Sequence, residues 1–332
     1  MIRTLKKDPR ARGGEEAPSA GLGRVLDELL ARPDLRARSS VDPVSFVHRY
    51  ARTEDKEIVA ILASSLAFGN VKAFRPKIES ALAVLGESPA RAADDRRALL
   101  RGLSRWKHRL YTGRDVALLL SGARKLQREH GTLGAAFASF LESAEGELRG
   151  AASAFVRAIR SHARLDREGS VGAAHLFVDP ANGSAAKRVM LFLRWMIRPA
   201  DGVDTGLWAH VSPSALLIPV DVHVHRLGRN LGLTDRATAS WKTAEDITRR
   251  LSAFDPADPV KYDFALCHMG MLQRCPSGAT TRSARVVASS ACAATGGERA
   301  VGVRRPRLGP APIQAMCSTW GGVPTHGCLR SS

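Results

Sequence analysis

Apolar residues recur every three or four positions along most of the chain between residues 20 and 276, which is the period of a helix with one buried face. No run alternates between apolar and polar residues in the manner of a β-strand. The sequence also lacks a G-x-G-x-x-G motif, a P-loop lysine motif and internal repeats. The pattern therefore predicts an all-α architecture, whose first amphipathic helix covers residues 22–30.

Polar residues that favour helix ends mark several boundaries. Thr53 is predicted to cap a helix that ends at Gly69, and Asp115 is predicted to cap a helix further along the chain. Thr132 and Ser240 are the predicted caps of two more helices. Three other helices are predicted over residues 183–198, 219–232 and 258–273. The first of these three carries apolar residues on most faces, so we expect it to be central.

The helix predicted over residues 219–232 comes from the run IPVDVHVHRLGRNLG. Pro219 suits the first helical position, and Gly232 suits the stop. Asp221 is then expected in the first turn, where the helix dipole favours its ionised form by roughly 0.3–1 kcal/mol. Such an acid either stabilises the helix N-terminus and nothing more, or takes part in chemistry.

The helix predicted over residues 183–198 starts with GSAAKR, which places Lys187 in its first turn after Ser184. The helix dipole and burial both disfavour an ammonium group there, so we expect the pKa of Lys187 to be lowered toward that of a usable amine nucleophile. With an ionised Asp221 it would form a pair suited to attack on an electrophilic sugar carbon. The alternative is that Lys187 and Arg188 form a phosphate-binding helix start.

The sequence carries a formal net charge of +18, from 50 Lys and Arg against 32 Asp and Glu. Residues 277–332 hold seven Arg and one Glu, so the rest of the chain is basic on its own account. This balance favours a polyanionic partner, most simply nucleic acid. An Arg-rich composition without a functional cause is the alternative.

Three regions are expected from the composition. Residues 1–20 have no apolar core of a secretory signal and are predicted to be disordered, whereas residues 21–276 are predicted to form the helical domain. Residues 277–332 are rich in Gly, Ala, Ser, Pro and Arg, and they are either a disordered basic tail or, as we favour, the product of a shifted reading frame. Because no run of about 18 apolar residues exists, no membrane span is expected and a cytoplasmic location follows.

Two of these segments resemble a known superfamily. IPVDVHVHRLGRNLGL resembles the segment that carries the catalytic aspartate in the helix-hairpin-helix DNA glycosylases, nearest their 8-oxoguanine branches. GSAAKRVMLFLRWM resembles the lysine-bearing helix of the archaeal 8-oxoguanine glycosylases. The resemblance covers roughly residues 50–276, and it implies two helical lobes that flank a cleft. The chain resembles more closely still an uncharacterised bacterial family, catalogued as a domain of unknown function and placed near these glycosylases.

The resemblance implies a role for each matching residue. Asp221 would stabilise an oxocarbenium-like sugar cation or activate the nucleophile, and Lys187 would attack C1′ and form a Schiff base. His223 would contact a phosphate near the flipped nucleotide, with Arg188 and Arg226 as further nucleic-acid contacts.

Three aromatic residues have an open role at this point. Phe68 would either wedge into the space that the flipped nucleotide leaves or pack in the core. Phe192 and Trp195 would either line a base pocket or pack between helices, and packing is the expected role in a helix that is apolar all round.

The chain also departs from the superfamily. A Gly-Val-Gly hairpin is missing before Asp221, and residues 199–220 contain no Lys, so Lys187 or a water activated by Asp221 would have to serve. Cys275 matches the first ligand of an iron–sulfur site, but the next cysteine is Cys292, and this spacing does not fit the C-x6-C-x2-C-x5-C pattern. No cofactor is therefore expected.

A metal site is not expected either, because His223 and His225 would point about 200° apart on a helix.

The first hypothesis is thus a monomeric, DNA-binding enzyme of the glycosylase type. A non-catalytic nucleic-acid-binding protein with the same fold is the second hypothesis, and a structural or partner-binding helical protein is the third.

Overall fold

Most of the apolar stripes in the sequence fold as α-helices. The computed structural model describes residues 20–31 and 41–272, and within them the architecture is all-α, as predicted. The predicted disordered segment before residue 20, the tail over residues 277–332 and Cys275 lie outside the described residues. No helix in the described ranges is long and apolar enough to cross a membrane.

The described α-helices are α1 (Ala20–Leu30), α2 (Thr53–Leu66), α3 (Val71–Leu85), α4 (Pro89–Asp94), α5 (Arg96–Gly102), α6 (Gly113–His130), α7 (Leu133–Ser143), α8 (Leu148–Ala163), α9 (Leu165–Glu168), α10 (Lys187–Ile197), α11 (Val222–Asn230), α12 (Trp241–Leu251) and α13 (Asp263–Leu272). Short 3-10 helices cover Pro43–Arg49, Val171–His175, Pro180–Asn182, Pro213–Ala215 and Pro259–Tyr262. A small hairpin joins β1 (Lys107–His108) to β2 (Tyr111–Thr112). This hairpin was not predicted, since two residues per strand are too few to show alternation.

Two predicted caps are confirmed. The side chain of Thr132 accepts a hydrogen bond from the Ala135 amide at the start of α7, and that of Ser240 accepts one from the Thr243 amide at the start of α12. In both cases the hydroxyl satisfies an amide that has no partner within the helix.

Two other predicted caps are wrong by a short distance. Thr53 is the first residue of α2, which follows the extended Arg52. Asp115 lies three residues after the true cap, Thr112, and the two form a capping box in which the Asp115 carboxylate accepts from the Thr112 amide at 2.7 Å. The error arose because Thr and Asp are both common cap residues and stand three positions apart here. Gly113 between them has no side chain and so tolerates the close approach of the Leu103 carbonyl.

The centre of the molecule is built around α2 and α10. Nearly every residue of α2 is buried, and α2 packs against α6, α10 and the 3-10 helix Pro43–Arg49. Residues 189–197 of α10 are buried throughout, which confirms the prediction of a central helix. Phe192 and Trp195 are fully buried there, and Phe192 contacts the rings of Phe155 and Trp208, so these aromatic residues pack in the core.

A fully buried carboxylate, that of Glu57 on α2, joins distant parts of this core. It accepts hydrogen bonds from Gln127 Nε2 at 2.6 Å and from Trp208 Nε1 at 2.8 Å. It also accepts from the amides of Leu133 and Gly134, the first residues of α7. Glu57 therefore ties α2 to the ends of α6 and α7 and to the segment that follows α10.

Candidate active site

Asp221 is held by the helix that it begins. The structure starts α11 at Val222, so the prediction that Pro219 is the first helical residue is wrong. The reason is that the Asp221 Oδ1 atom caps the helix and accepts from the amides of His223 at 2.9 Å and Val224 at 2.8 Å, which requires an extended backbone at Asp221 itself. Oδ2 stays available for a second partner.

Lys187 is the first residue of α10, later than the helix start predicted at residue 183. Ala186 before it has a left-handed backbone with φ of 43°, and this conformation separates the preceding segment from the helix. The segment is fixed to the start of α12, because Ser184 forms a β-bridge with Ser240 and the Trp241 amide donates to the Gly183 carbonyl at 3.1 Å.

The two predicted catalytic residues lie together. The Nζ atom of Lys187 is 3.0 Å from Oδ2 of Asp221, and the two side chains are 31% and 15% exposed. Both line a cavity of about 760 Å³, a volume typical of ligand sites. Phe68, Arg188 and His223 also line it. The amine and the carboxylate therefore face a space large enough for a small organic group.

The charge of Lys187 differs from the sequence-based expectation, whereas the ionised state of Asp221 agrees with it. Burial is the largest single effect on Lys187 and would lower its pKa, but the charge and hydrogen bond of Asp221, together with Cys267 and Asp263, raise it overall. Burial likewise would raise the pKa of Asp221, but Lys187 and the Val224 amide hold it below its ordinary value. The prediction of a lowered Lys187 pKa is therefore wrong, because the carboxylate at 3.0 Å and the other acidic groups around the ammonium together outweigh burial.

A second carboxylate in the cavity wall was not found from the sequence. Asp263, the first residue of α13, is buried, and its Oδ2 atom accepts from Arg194 Nη1 at 2.6 Å. Burial raises the pKa of Asp263 to about 6, even though Arg194 favours its charged form. Two features of the sequence signal this contact: an arginine inside an otherwise apolar helix needs a buried partner, and Asp263 is an acid in a first helical turn.

Arg194 extends this contact into a buried ionic network. Its Nε atom donates to Asp204 at 3.2 Å, and Asp204 also contacts Arg198. Arg198 in turn binds both carboxylate oxygens of Asp258 at 3.0 Å through Nε. The network fixes the segment after α10. In that segment the Asp201 carboxylate accepts hydrogen bonds from the amides of Val203 and Asp204. These two amides of residues 199–220 are thus already paired within the protein.

Phe68 lies beyond the C-terminal end of α2 at the edge of the cavity. It is partly buried between two guanidinium groups, those of Arg109 at 5.2 Å and Arg188 at 5.3 Å from the ring centroid. Gly69 follows with φ of +79°, and a Cβ there would approach Arg109 to 2.5 Å. The hairpin turn and the end of α2 therefore support each other, and Phe68 has contacts on two sides.

Arg188 is engaged with the protein's own oxygen atoms. Its guanidinium donates to the carbonyl of Ser65 at 3.1 Å, to the hydroxyl of Tyr111 and to the carbonyl of His175. These bonds join the start of α10 to the end of α2 and to β2. The geometry suits a residue that holds the first turn of α10 in place, while the predicted nucleic-acid contact of Arg188 stays a prediction.

The predicted residues on α11 divide between two environments. His223 lines the cavity next to Asp221, whereas Arg226, one turn further on, is not among the described residues that line it. His225 faces another way, with Nε2 2.9 Å from the Arg236 carbonyl. Within residues 20–31 and 41–272, no group of three or more His, Cys, Asp or Glu could hold a metal ion.

Cys267 on α13 is a free thiol that also lines the cavity. Burial and the nearby carboxylates of Asp221 and Asp263 raise its pKa, so the thiol stays protonated. It is therefore a poor nucleophile in this cavity.

Comparison with known families places this site within a single domain. A family model described as "Protein of unknown function (DUF2400)" matches residues 42–272. The chain belongs to the DUF2400 family. The predicted membership of an uncharacterised family is thereby confirmed, and the matched range contains Lys187, Asp221 and Asp263. No curated protein and no solved structure matches the chain.

Proposed function

We propose that this DUF2400 protein is a DNA-binding enzyme of the DNA glycosylase type, which removes a damaged base by chemistry at C1′ of its nucleotide. One observation carries the proposal: Lys187 Nζ lies 3.0 Å from Asp221 Oδ2 in a cavity of about 760 Å³. The resemblance of both segments to glycosylases and the net charge of +18 support it further.

The proposed reaction needs a neutral amine. The Lys187 ammonium first loses a proton, for which the Asp221 Oδ2 atom is the nearest acceptor. The amine lone pair then forms a bond to C1′, the glycosidic bond breaks, and its electron pair leaves with the base, which takes up a proton. The proton that Asp221 accepted passes to the departing base, so the carboxylate is negative again and offsets positive charge at the sugar. The attached amine then gives a proton to O4′ as the C1′–O4′ bond opens, which leaves a protonated imine.

The substrate nucleotide must be turned out of its stack to reach the cavity. Extrusion of a base costs a few kcal/mol, least for a damaged or mispaired base. Contacts between the basic surface and backbone phosphates would offset this cost. An oxidised base is the proposed lesion, because the resemblance is nearest to the 8-oxoguanine branches.

Borohydride trapping tests the proposal. The chain is incubated with duplex oligonucleotides that carry an abasic site or an oxidised base, and borohydride reduces any imine to a stable amine. We expect a covalent adduct with the wild type and none with Lys187→Ala. Lys261→Ala is the matched control, since Lys261 is also a partly exposed, ion-paired lysine, 2.8 Å from Asp255, and does not line the cavity. If no adduct forms and no base is released across a panel of damaged bases, the proposed enzymatic function is wrong.

A second candidate function is nucleic-acid binding without catalysis. The observation that favours it is the ion pair itself, in which the pKa of Lys187 is raised and that of Asp221 is lowered. A pair that stays ionised is a stable structural contact as well as a resting active site. This alternative predicts salt-sensitive binding of duplex DNA that Lys187→Ala and Asp221→Asn leave unchanged.

A further inference from the structure

A second groove lies beside the candidate active site and is lined by arginines. Four of them recur at intervals of three and four residues: Arg157, Arg160, Arg164 and Arg167. The first two belong to α8, the third is the left-handed cap that ends α8, and the fourth belongs to α9. The groove has a volume of about 760 Å³, and we call it the arginine groove.

Arg157 and Arg160 are paired with carboxylates that line the groove. Arg160 is almost buried, and its Nη1 atom donates to the carbonyls of Ala173 and Leu176, while Nη2 contacts Asp166. Arg157 donates to Asp179 Oδ2 at 2.6 Å. These two guanidinium groups are therefore matched by the two carboxylates that line the groove, those of Asp166 and Asp179.

Arg164 and Arg167 give the groove its net charge. Arg164 is 67% exposed, and its nearest carboxylate, Glu168, is 3.6 Å away and also contacts Arg96 and Arg114. Arg167 is exposed as well. The lining thus holds four guanidinium groups against two carboxylates. Two exposed guanidinium groups that line one concave surface are suited to an anion with several oxygen atoms.

The groove and the candidate active site share a wall. Val178 lines both cavities, and Asp179 next to it caps the 3-10 helix Pro180–Asn182. The chain then runs over a few residues to Lys187. An extended polyanion that places one unit in the candidate active site can therefore reach the arginine groove with a neighbouring unit.

We infer that the arginine groove binds backbone phosphates of the strand whose nucleotide enters the candidate active site, on one side of that nucleotide. The inference rests on the proposed function for its ligand, a polynucleotide, but not on catalysis. Arg164 and Arg167 make the phosphate contacts, and Arg160 and Arg157 hold the wall that separates the two cavities.

Binding measurements with the full chain test this inference. The affinity for a labelled duplex with one abasic site is measured by fluorescence anisotropy between about 50 and 200 mM salt. The variant is Arg164→Gln/Arg167→Gln, and the control is Arg52→Gln/Arg128→Gln. The control changes the net charge equally at two arginines that are 70% and 66% exposed and line neither cavity.

We expect the groove variant to bind about tenfold more weakly and its salt slope to fall by about 1 to 2, as for the loss of two phosphate contacts. The control should keep the wild-type slope. If both double variants lose affinity to the same extent while the wild type still binds and traps, the inference is wrong and the proposed function stands. If the wild type binds no nucleic acid, both are wrong.

The first part of a second measurement uses the wild type alone. Single phosphates on each side of the abasic site are replaced by uncharged methylphosphonates, and wild-type affinity is measured for each. We expect weaker binding for one or two positions on one side, and no further loss at those positions with the groove variant. Equal losses at every position on both sides would overturn the inference.

Discussion

Lys187 and Asp221, which are 34 residues apart in the sequence, meet at the starts of two different helices with Nζ 3.0 Å from Oδ2. The other carboxylate oxygen is fully used as the cap of α11, so the carboxyl group is fixed in rotation as well as in position. The pair therefore has one defined geometry toward the cavity, and its protonation state is the variable that the proposed reaction would have to change.

The first prediction concerns the pH dependence of trapping. Asp221 raises the pKa of Lys187, whereas burial alone would lower it. In Asp221→Asn the ammonium loses its partner, so the amine should become neutral at lower pH. We expect the pH profile of borohydride trapping to shift to lower pH in the variant, although its maximal rate falls. A profile that stays at the wild-type pH would show that this carboxylate does not control the charge of Lys187.

The second prediction concerns Asp263 and the stability of the fold. Its pKa in the folded state is about 6, above the ordinary value of 3.8, so the folded protein holds this proton more tightly than the unfolded chain does. Its contribution to stability is therefore largest below about pH 4 and is lost as the pH rises through 6. We expect Asp263→Asn to lower the free energy of unfolding more at about pH 4.5 than at about pH 7.5, because these two pH values bracket the titration of Asp263. Urea unfolding at both pH values measures this, and a cost that grows with pH would contradict it.

The third prediction concerns Glu57. Its carboxylate accepts four hydrogen bonds in the core, and a glutamine amide would turn an NH₂ group toward at least one of those donors. We expect Glu57→Gln to lower the free energy of unfolding by about 2–3 kcal/mol, the cost of an unsatisfied buried donor. Glu54→Gln, at a half-exposed ion pair with Arg52, should change it by less than about 1 kcal/mol. Equal small effects in denaturant titrations would disprove the bracing role of Glu57.

The fourth prediction concerns the crossing of α6 and α8. A Cβ at Gly122 would lie 2.5 Å from the Ile159 carbonyl oxygen and 2.6 Å from the Ala163 Cβ. We expect Gly122→Ala to destabilise the fold by about 1–3 kcal/mol, despite the higher helix propensity of alanine. Thermal unfolding measures the change, and Lys125→Ala on the exposed side of α6 is the control. A stabilised Gly122→Ala protein would show that the two helices are further apart.

The local features of this fold could be predicted from the sequence. The period of apolar residues gives the all-α class, and the hydroxyls of Thr132 and Ser240 give the start of two helices, because caps and helical stripes depend on residues a few positions apart. Competition between neighbouring cap formers produced the errors, as for Thr112 and Asp115. The start of α11 was also predicted too early, because Asp221 caps the helix with its side chain and keeps an extended backbone itself.

The candidate site was predictable in part. Lys187 and Asp221 were found because each stands at a helix start, but their distance was not contained in any local pattern. The charge of Lys187 was predicted wrongly, since the helix dipole is visible in the sequence and a carboxylate from another helix is not. Asp263 and the arginine groove were not predicted as parts of a site, because they are formed by residues that only the tertiary structure brings together.

The sequence by itself thus determined the helices, the basic charge and the two residues most suited to chemistry. Tertiary structure alone decided that the Lys187 amine shares one cavity with the carboxylates of Asp221 and Asp263, and that four arginines border the next. The physical reason is range: helix formation is governed by contacts three or four residues away, whereas the ionisation of a side chain is governed by whichever charges packing brings within a few ångströms.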